Sequence, residues 1–269
     1  MVHIKKNKTA IWVITPNGTK LAEMLSRVLT ESDVYISRKI APTQIGHLRF
    51  ENLSEALNQK FKRYSGHIFI MSTGIVVRVI APLINNKVED PAVVVVDDQA
   101  NHAISLLSGH LGGANALTQK VANIIGADPV ITTATDVNRL PAIDVLAKEM
   151  NLLIENPGAI KTVNMALLKG EKIFIHDPFR FLACSLPHIE PFTYGETKKY
   201  SKRNCRANEF EGVPGIYVDD VIVDLPPGIL VLRPASLVAG IGCNRNTAME
   251  EMKALLEDVW QPIIYRYPV

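Results

Sequence analysis

Read for the spacing of its apolar positions, the chain alternates short apolar runs with stretches of helical period. Ala10–Thr15 is an apolar run that ends in Pro16-Asn17-Gly18, a turn signal. Leu21, Met24, Leu25 and Val28 then recur at three and four residues, the spacing of one helix face. Val34–Ile36 is a second strand candidate, Ser54 a cap for a helix carrying Leu57 and Phe61, and His67–Met71 a further strand. Ile75–Ile80 is rich in β-branched residues, which favours a strand, yet Gly74 before it and Pro82 after it suit a short helix; a helix is expected. Ala92–Val96 is unbroken, as in a strand buried on both faces of a parallel sheet, and Ala103–Leu107 follows it. Ala114, Leu117, Val121 and Ile124 mark a helix closed by Gly126. A strand over Val130–Thr132 and a helix over Pro141–Met150 complete the alternation. The pattern predicts an α/β domain with a mainly parallel sheet over residues 1–156.

Asn156-Pro157-Gly158 interrupts that pattern. Beyond it an α+β middle segment is expected over 157–235. It comprises a helix over Ala159–Leu168, strands over Lys172–His176, Ile216–Val223 and Ile229–Arg233, and long loops through the Pro-, Gly- and charge-rich stretch 177–215. A third segment, 236–269, opens on a strand over Leu237–Ile241, then a helix capped by Thr247 and Glu250. It is a single βα unit, the start of an incomplete carboxyl-terminal α/β domain.

Composition narrows the classes. In 269 residues, 47% hydrophobic and 21% charged content fits a globular protein with a substantial core, and the length fits more than one domain. The net charge is +2 and the basic residues are scattered. The one approach to a basic run, Lys198-Lys199 with Lys202-Arg203, reads as a solvated loop, so no nucleic-acid partner is expected. Cys184, Cys205 and Cys243 form no C-x-x-C pair and have no histidine at zinc spacing, which argues against disulfides and a structural metal and for a reducing cytoplasm. Met1–Lys8 has no apolar signal region, and the tract Ile68–Ile84 is broken by Ser72, Gly74, Arg78 and Pro82 and falls short of the roughly 20 residues of a membrane span. A soluble cytoplasmic protein with no membrane partner is expected.

Ligands of open parallel sheets bind beyond the carboxyl ends of the strands. The loops there are Thr15–Gly18, Ser72-Thr73-Gly74, Asp97-Asp98, Ser108–Asn115 and Thr132–Asp136; in a wholly parallel sheet they share one rim. The most specific is Ser108-Gly109-His110-Leu111-Gly112-Gly113-Ala114-Asn115. Its glycines permit close backbone approach, the helix after Gly113 offers unpaired amides to an anion, and His110 exchanges protons near neutral pH. It lacks the ending of a P-loop and the spacing of a dinucleotide motif. His110 is the expected general base, Ser108 or the Gly112 and Gly113 amides the oxyanion donors, and Asp97 or His102 the second proton carrier. Thr73, Gly74, Arg78, Gly109, Gly112, Gly113, Asn115, Thr133 and Asp136 are the expected substrate-binding residues. Each has a plainer alternative: Asp97 and Asp98 as turn residues, Arg78 as a surface residue, Asp136 as a helix cap, His102 as part of a turn, and Lys87 as a loop stabiliser.

Several blocks in order resemble the CbiG family of cobalt-precorrin-5A hydrolases. They are Gly74–Leu83, Lys87 with Asp90–Val95, Ser105–Asn115, Thr132–Asp136 and Val238–Arg245. The resemblance implies a hydrolase of anaerobic cobalamin biosynthesis that opens a δ-lactone on a tetrapyrrole and releases acetaldehyde to give cobalt-precorrin-5B. It implies no cofactor, because the cobalt arrives in the substrate, and it allows contacts with other enzymes of the pathway. Members of the family usually carry a full third α/β domain after the Gly240-Ile241-Gly242-Cys243 block, where this chain has only 236–269. Two other classes stay open on the residues alone: a tetrapyrrole-binding protein without catalysis, and an α/β enzyme whose glycine loop holds a phosphorylated metabolite.

Overall fold

The computed structural model describes residues 8–41, 47–86, 89–182 and 214–234, and the backbone of 192–194. The chain divides into two compact units, Met1–Pro234 and Ala235–Val269, of which the second lies outside the described residues.

The first unit holds two sheets. Seven strands build the larger: β1 (Thr9–Val13), β2 (Ser32–Ser37), β3 (Leu48–Phe50), β4 (Gly66–Ile70), β5 (Ala92–Val96), β6 (His102–Leu107) and β7 (Asp128–Val130). Their spatial order is β3-β2-β1-β4-β5-β6-β7. Helices α1 (Pro16–Val28) and α4 (Ala114–Ile125) cover one face, and α2 (Leu53–Lys60) and α3 (Thr73–Ile80) the other. The period-two alternation of the strands decides which residue faces which helix pair. Ile11 and Val13 join Leu25 and Val121 in one core, while Ala10 and Trp12 join Leu57, Phe61 and Val76 in the other. β5 is buried at every position, as its unbroken valines require.

Two local expectations change. The cap of α2 is Asn52, whose side chain accepts from the amides of Ser54 and Glu55; Asn is as good a cap as Ser and stands just before Leu53, whereas Ser54 is already the second residue of the helix. The more consequential change is the direction of β6. It pairs antiparallel with β5, Val93 opposite Leu107 and Val96 opposite Ala103, and β7 runs parallel to β6. The carboxyl ends of β6 and β7 therefore lie on the rim opposite to those of β1, β4 and β5. The expectation that all the polar loops share one rim is overturned, because a tight turn at Asp97–Asn101 reverses the chain where a crossover would have kept its direction.

The smaller sheet has the order β10-β9-β11-β12-β8. Its strands are β8 (Leu152–Ile154), β9 (Ile173–His176), β10 (Phe192–Tyr194), β11 (Gly215–Val218) and β12 (Ile229–Pro234). They pair in parallel except β12 with β8. After the short turn α5 (Ala134–Val137), helices α6 (Ile143–Glu149) and α7 (Ile160–Leu168) pack on this sheet through Ile143, Ala147, Val163 and Leu167. Leu111 of the glycine loop packs against the same core, which ties the loop to the second sheet.

No helix among the described residues is long and apolar enough to cross a membrane. The three cysteines, Lys87, the Lys198–Arg203 run, the expected strand at Leu237–Ile241 and the Thr247–Glu250 cap all lie outside the described residues.

Candidate active site

The glycine loop turns sharply out of β6. Ser108 has a positive φ of 59°, a left-handed backbone that a non-glycine residue seldom adopts. A side chain on Gly112 would collide with Ser108, and one on Gly109 would strike the Asn115 side chain at 2.8 Å. Gly113 starts α4 with φ 86°. The loop also closes on itself: the Gly113 amide donates to His110 O (2.8 Å), Ala114 to Ser108 O (3.0 Å) and Asn115 to Gly109 O (3.0 Å). This corrects the expected anion cradle. The amides of Gly113, Ala114 and Asn115 are already engaged within the loop, which takes away the oxyanion role of Gly113 and the first donors of a phosphate seat at this helix start.

What the loop presents is His110. Its Nε2 lies 2.8 Å from Asp136 Oδ2 and 3.0 Å from Thr135 Oγ1; its Nδ1 lies 3.6 Å from Asp144 Oδ1. The 3.6 Å contact is longer than an N–H···O bond, which runs about 2.7–3.2 Å, so Asp144 acts on the ring as a charge. Asp144 is 4% exposed and Asp136 is on the surface. The nearby Asp144 carboxylate pushes the His110 pKa up, burial opposes it, Asp136 adds to the rise, and the pKa reaches about 9. The ring is therefore an imidazolium at neutral pH. That charge state makes it a proton donor, where a base was expected.

Asp136 is held in turn. It accepts from Thr133 Oγ1 (2.6 Å) and Asn115 Nδ2 (3.0 Å), while Asn115 Oδ1 accepts from Ser105 Oγ (2.6 Å). Burial pushes the Asp136 carboxyl up, but the bonds from Thr133 and His110 outweigh it and hold the group below its ordinary value. Ser108, Gly109, Gly112, His110, Asn115, Thr133 and Asp136 thus come together as expected. Asp144 and Thr135 are members that sequence reasoning missed. The available signal was an acid inside the apolar run Ala142-Ile143-Asp144-Val145-Leu146, at a position that faces inward.

His110 stands between two cavities. One, of about 600 Å3, is lined on the Asp136 side by Asn115, Gln119, Lys148 and Glu149. The other, of about 360 Å3, is lined by Ser108, Thr133, Asp144, Ile160, Asn164 and Met165. A third, of about 500 Å3, lies against α7 between Lys161, Lys169 and Pro226–Gly228 and has no histidine in its walls.

The remaining candidates sit elsewhere. Asp97 accepts from the amides of Gln99 (2.9 Å) and His102 (2.6 Å) and organises the turn into β6. Burial raises its pKa, but the amides of His102 and Gln99 hold it below the usual value. β6, six residues long, separates His102 from Leu107 by about 17 Å at roughly 3.3 Å per residue. Asp97 and His102 therefore stand at the opposite end of β6 from the glycine loop, so the expected second proton carrier is not brought to His110. Thr73 and Gly74 start α3 on that far rim, and Arg78 is exposed in its last turn, on the sheet face opposite α4. Among the described residues, no group of three or more His, Cys, Asp or Glu is placed to hold a metal ion.

Residues 55–136 match a family model described as cobalamin synthesis G N-terminal, and residues 141–234 match one described as cobalamin biosynthesis central region. A cobalt-precorrin-5A hydrolase of Salmonella typhimurium is 37% identical over 259 residues, covering 94% of this chain and 70% of that protein. A cobalt-precorrin-5A hydrolase of Priestia megaterium is 34% identical over 257 residues, covering 92% and 68%. A solved structure of a cobalamin biosynthesis protein G homolog from Sulfolobus solfataricus aligns with a TM-score of 0.46 at 22% identity, over 95% of this chain and 69% of that one.

Proposed function

The chain belongs to the CbiG family of cobalt-precorrin-5A hydrolases, and from that premise we propose that it opens the lactone of its tetrapyrrole substrate at His110. The observation that carries the assignment of the site is the His110 imidazole held between Asp136 and Asp144 at the meeting of two cavities. A lactone hydrolase needs a proton for the departing ring oxygen, and a charged imidazole in hydrogen-bond reach of a cavity supplies one. Asp136, fixed by Thr133 and Asn115, keeps the ring oriented and charged until substrate arrives. Lys148, in the wall of the larger cavity, suits a peripheral carboxylate of the macrocycle.

In this reading the lactone opening is followed by loss of a two-carbon fragment as acetaldehyde, giving cobalt-precorrin-5B. The cobalt enters and leaves as part of the substrate, and the protein works without a cofactor of its own. The reaction takes place in the cytoplasm, and its unstable product passes to other enzymes of the pathway.

The test is anaerobic incubation of the chain with cobalt-precorrin-5A, with acetaldehyde assayed and the macrocycle followed by mass. Enzyme-dependent acetaldehyde is expected, together with a macrocycle whose mass has gained one water and lost the two-carbon fragment. His110→Ala is expected to lower turnover by about 10²–10⁴-fold, the usual worth of a general acid or base, with macrocycle binding within a few-fold. Unchanged turnover in that variant removes His110 from the chemistry.

A further inference from the structure

The cavity on the Nδ1 side of His110 has a lining that a proton donor alone does not need. Ser108 Oγ, Asp144 Oδ1 and Asn164 Oδ1 are all shut off from bulk solvent and have no hydrogen-bond partner among the described residues. All three residues line the same space of about 360 Å3. Buried polar atoms in folded proteins are nearly always paired, and one left unpaired costs about 1–3 kcal/mol. Three around one cavity mark a place where a small polar molecule completes the bonding. An ionised carboxylate only accepts, the Asn164 oxygen accepts, and the Ser108 hydroxyl gives or takes. Water has the chemistry that matches that set, with two protons to give and an oxygen to receive the Ser108 hydroxyl, and two to four polar partners are what a buried water requires. The volume is several times the roughly 30 Å3 share of one liquid water. The apolar walls at Leu111, Ile160 and Met165 leave room for the edge of a macrocycle beside it.

Asp144 has a plainer possible use, since acids are common in the first turn of a helix. Its helix, α6, has no side-chain cap bond at its start, and the carboxylate faces His110. We infer that this cavity seats the hydrolytic water and that Asp144 is the base that takes its proton, an assignment that rests on the lactone-hydrolase reading of the His110 site. The water oxygen adds to the lactone carbonyl carbon as one of its protons passes to Asp144. The adduct then collapses. The bond from the carbonyl carbon to the ring oxygen breaks, and that oxygen takes the proton carried by His110. The new carboxylic acid ionises and returns a proton to His110, and Asp144 gives its own to solvent. One ester and one water become one carboxylate, one alcohol and one released proton.

The experiment compares Asp144→Asn, Asp144→Ala and Asn164→Leu with wild type and His110→Ala in the acetaldehyde and mass assay, with thermal melts to establish folding. Asp144→Asn preserves shape and is expected to lower kcat by about 10²–10⁴-fold with KM within a few-fold. Asp144→Ala is expected to regain activity in proportion to added formate, which carries a carboxylate into the space left by the side chain. Asn164→Leu keeps the carboxylate but occupies the water's place, and is expected to lower kcat about tenfold or more without formate rescue. An active wild type and inactive His110→Ala beside a fully active Asp144→Asn overturn the role of Asp144. Wild-type kcat in Asn164→Leu overturns the water seat. If the wild type itself releases no acetaldehyde, the lactone-hydrolase reading falls first.

Discussion

Two histidines in this fold are tuned in opposite directions by their surroundings. His67 is fully buried; the Trp12 indole donates to its Nδ1 (3.0 Å) and its Nε2 donates to Phe61 O (2.9 Å). Burial among aromatic rings pushes its pKa down to about 4, so the ring is neutral. His110 is pushed up to about 9 by its carboxylates. The consequences for stability follow from linkage. His67 contributes fully above the unfolded value of about 6.5, and its contribution is lost as pH falls from there toward 4, by up to about 3 kcal/mol at 1.36 kcal/mol per unit. His110 contributes fully below about 6.5 and its share is lost as pH rises through 9. Thermal melts from pH 4.5 to 10 are expected to fall away on both sides. His67→Phe is expected to flatten the acid side and His110→Gln the alkaline side; an unaltered acid limb in His67→Phe removes that residue as the cause.

Among the elements, the glycine loop separates two reasons for a glycine. Gly113 is needed for its torsion, φ 86°, and a methyl group there would meet nothing. Gly112 is needed for space, because a methyl group there falls on Ser108. Gly113→Ala is therefore expected to cost about 1–2 kcal/mol of stability and to leave turnover near wild type. Gly112→Ala is expected to displace Ser108 and His110 and to lower kcat more than its loss of stability explains. Equal kinetic losses in both would show that torsion alone governs the loop. The loop and the helix behind it were legible, since glycines at a strand end and a 3.6-residue apolar period are local signals. So was α3, where Gly74 and Pro82 outweighed the β-branched residues between them. The three-residue strands β3 and β8 were not, because so few positions carry no period.

Across the whole molecule, the feature hidden from the sequence was direction. Apolar spacing reports that Ala103–Leu107 is a strand but not which way it runs, and its antiparallel pairing with β5 sends Asp97 and His102 to one rim and His110 to the other. Asp144 escaped notice for a related reason: it comes from the helix that serves the second sheet, and only the packing of the two sheets brings it to His110. With Asp97 bonded to the amides of its own turn, Asp97→Asn is expected to lower the melting temperature while kcat for lactone opening stays within a few-fold of wild type. A kinetic loss as deep as that of His110→Ala would return the far rim to the reaction.

The reversal at Asp97 also governs the route of the covalent chain. Because β6 and β7 run back, the polypeptide leaves the larger sheet at the rim where α6 and the smaller sheet begin, and a short link through α5 joins them. Had β6 continued the parallel order, the chain would have emerged at the other rim and would have had to travel the height of the sheet before α6. One hairpin therefore does two jobs: it carries the histidine to the boundary between the sheets, and it brings the chain to the starting point of the segment that delivers the opposing carboxylate.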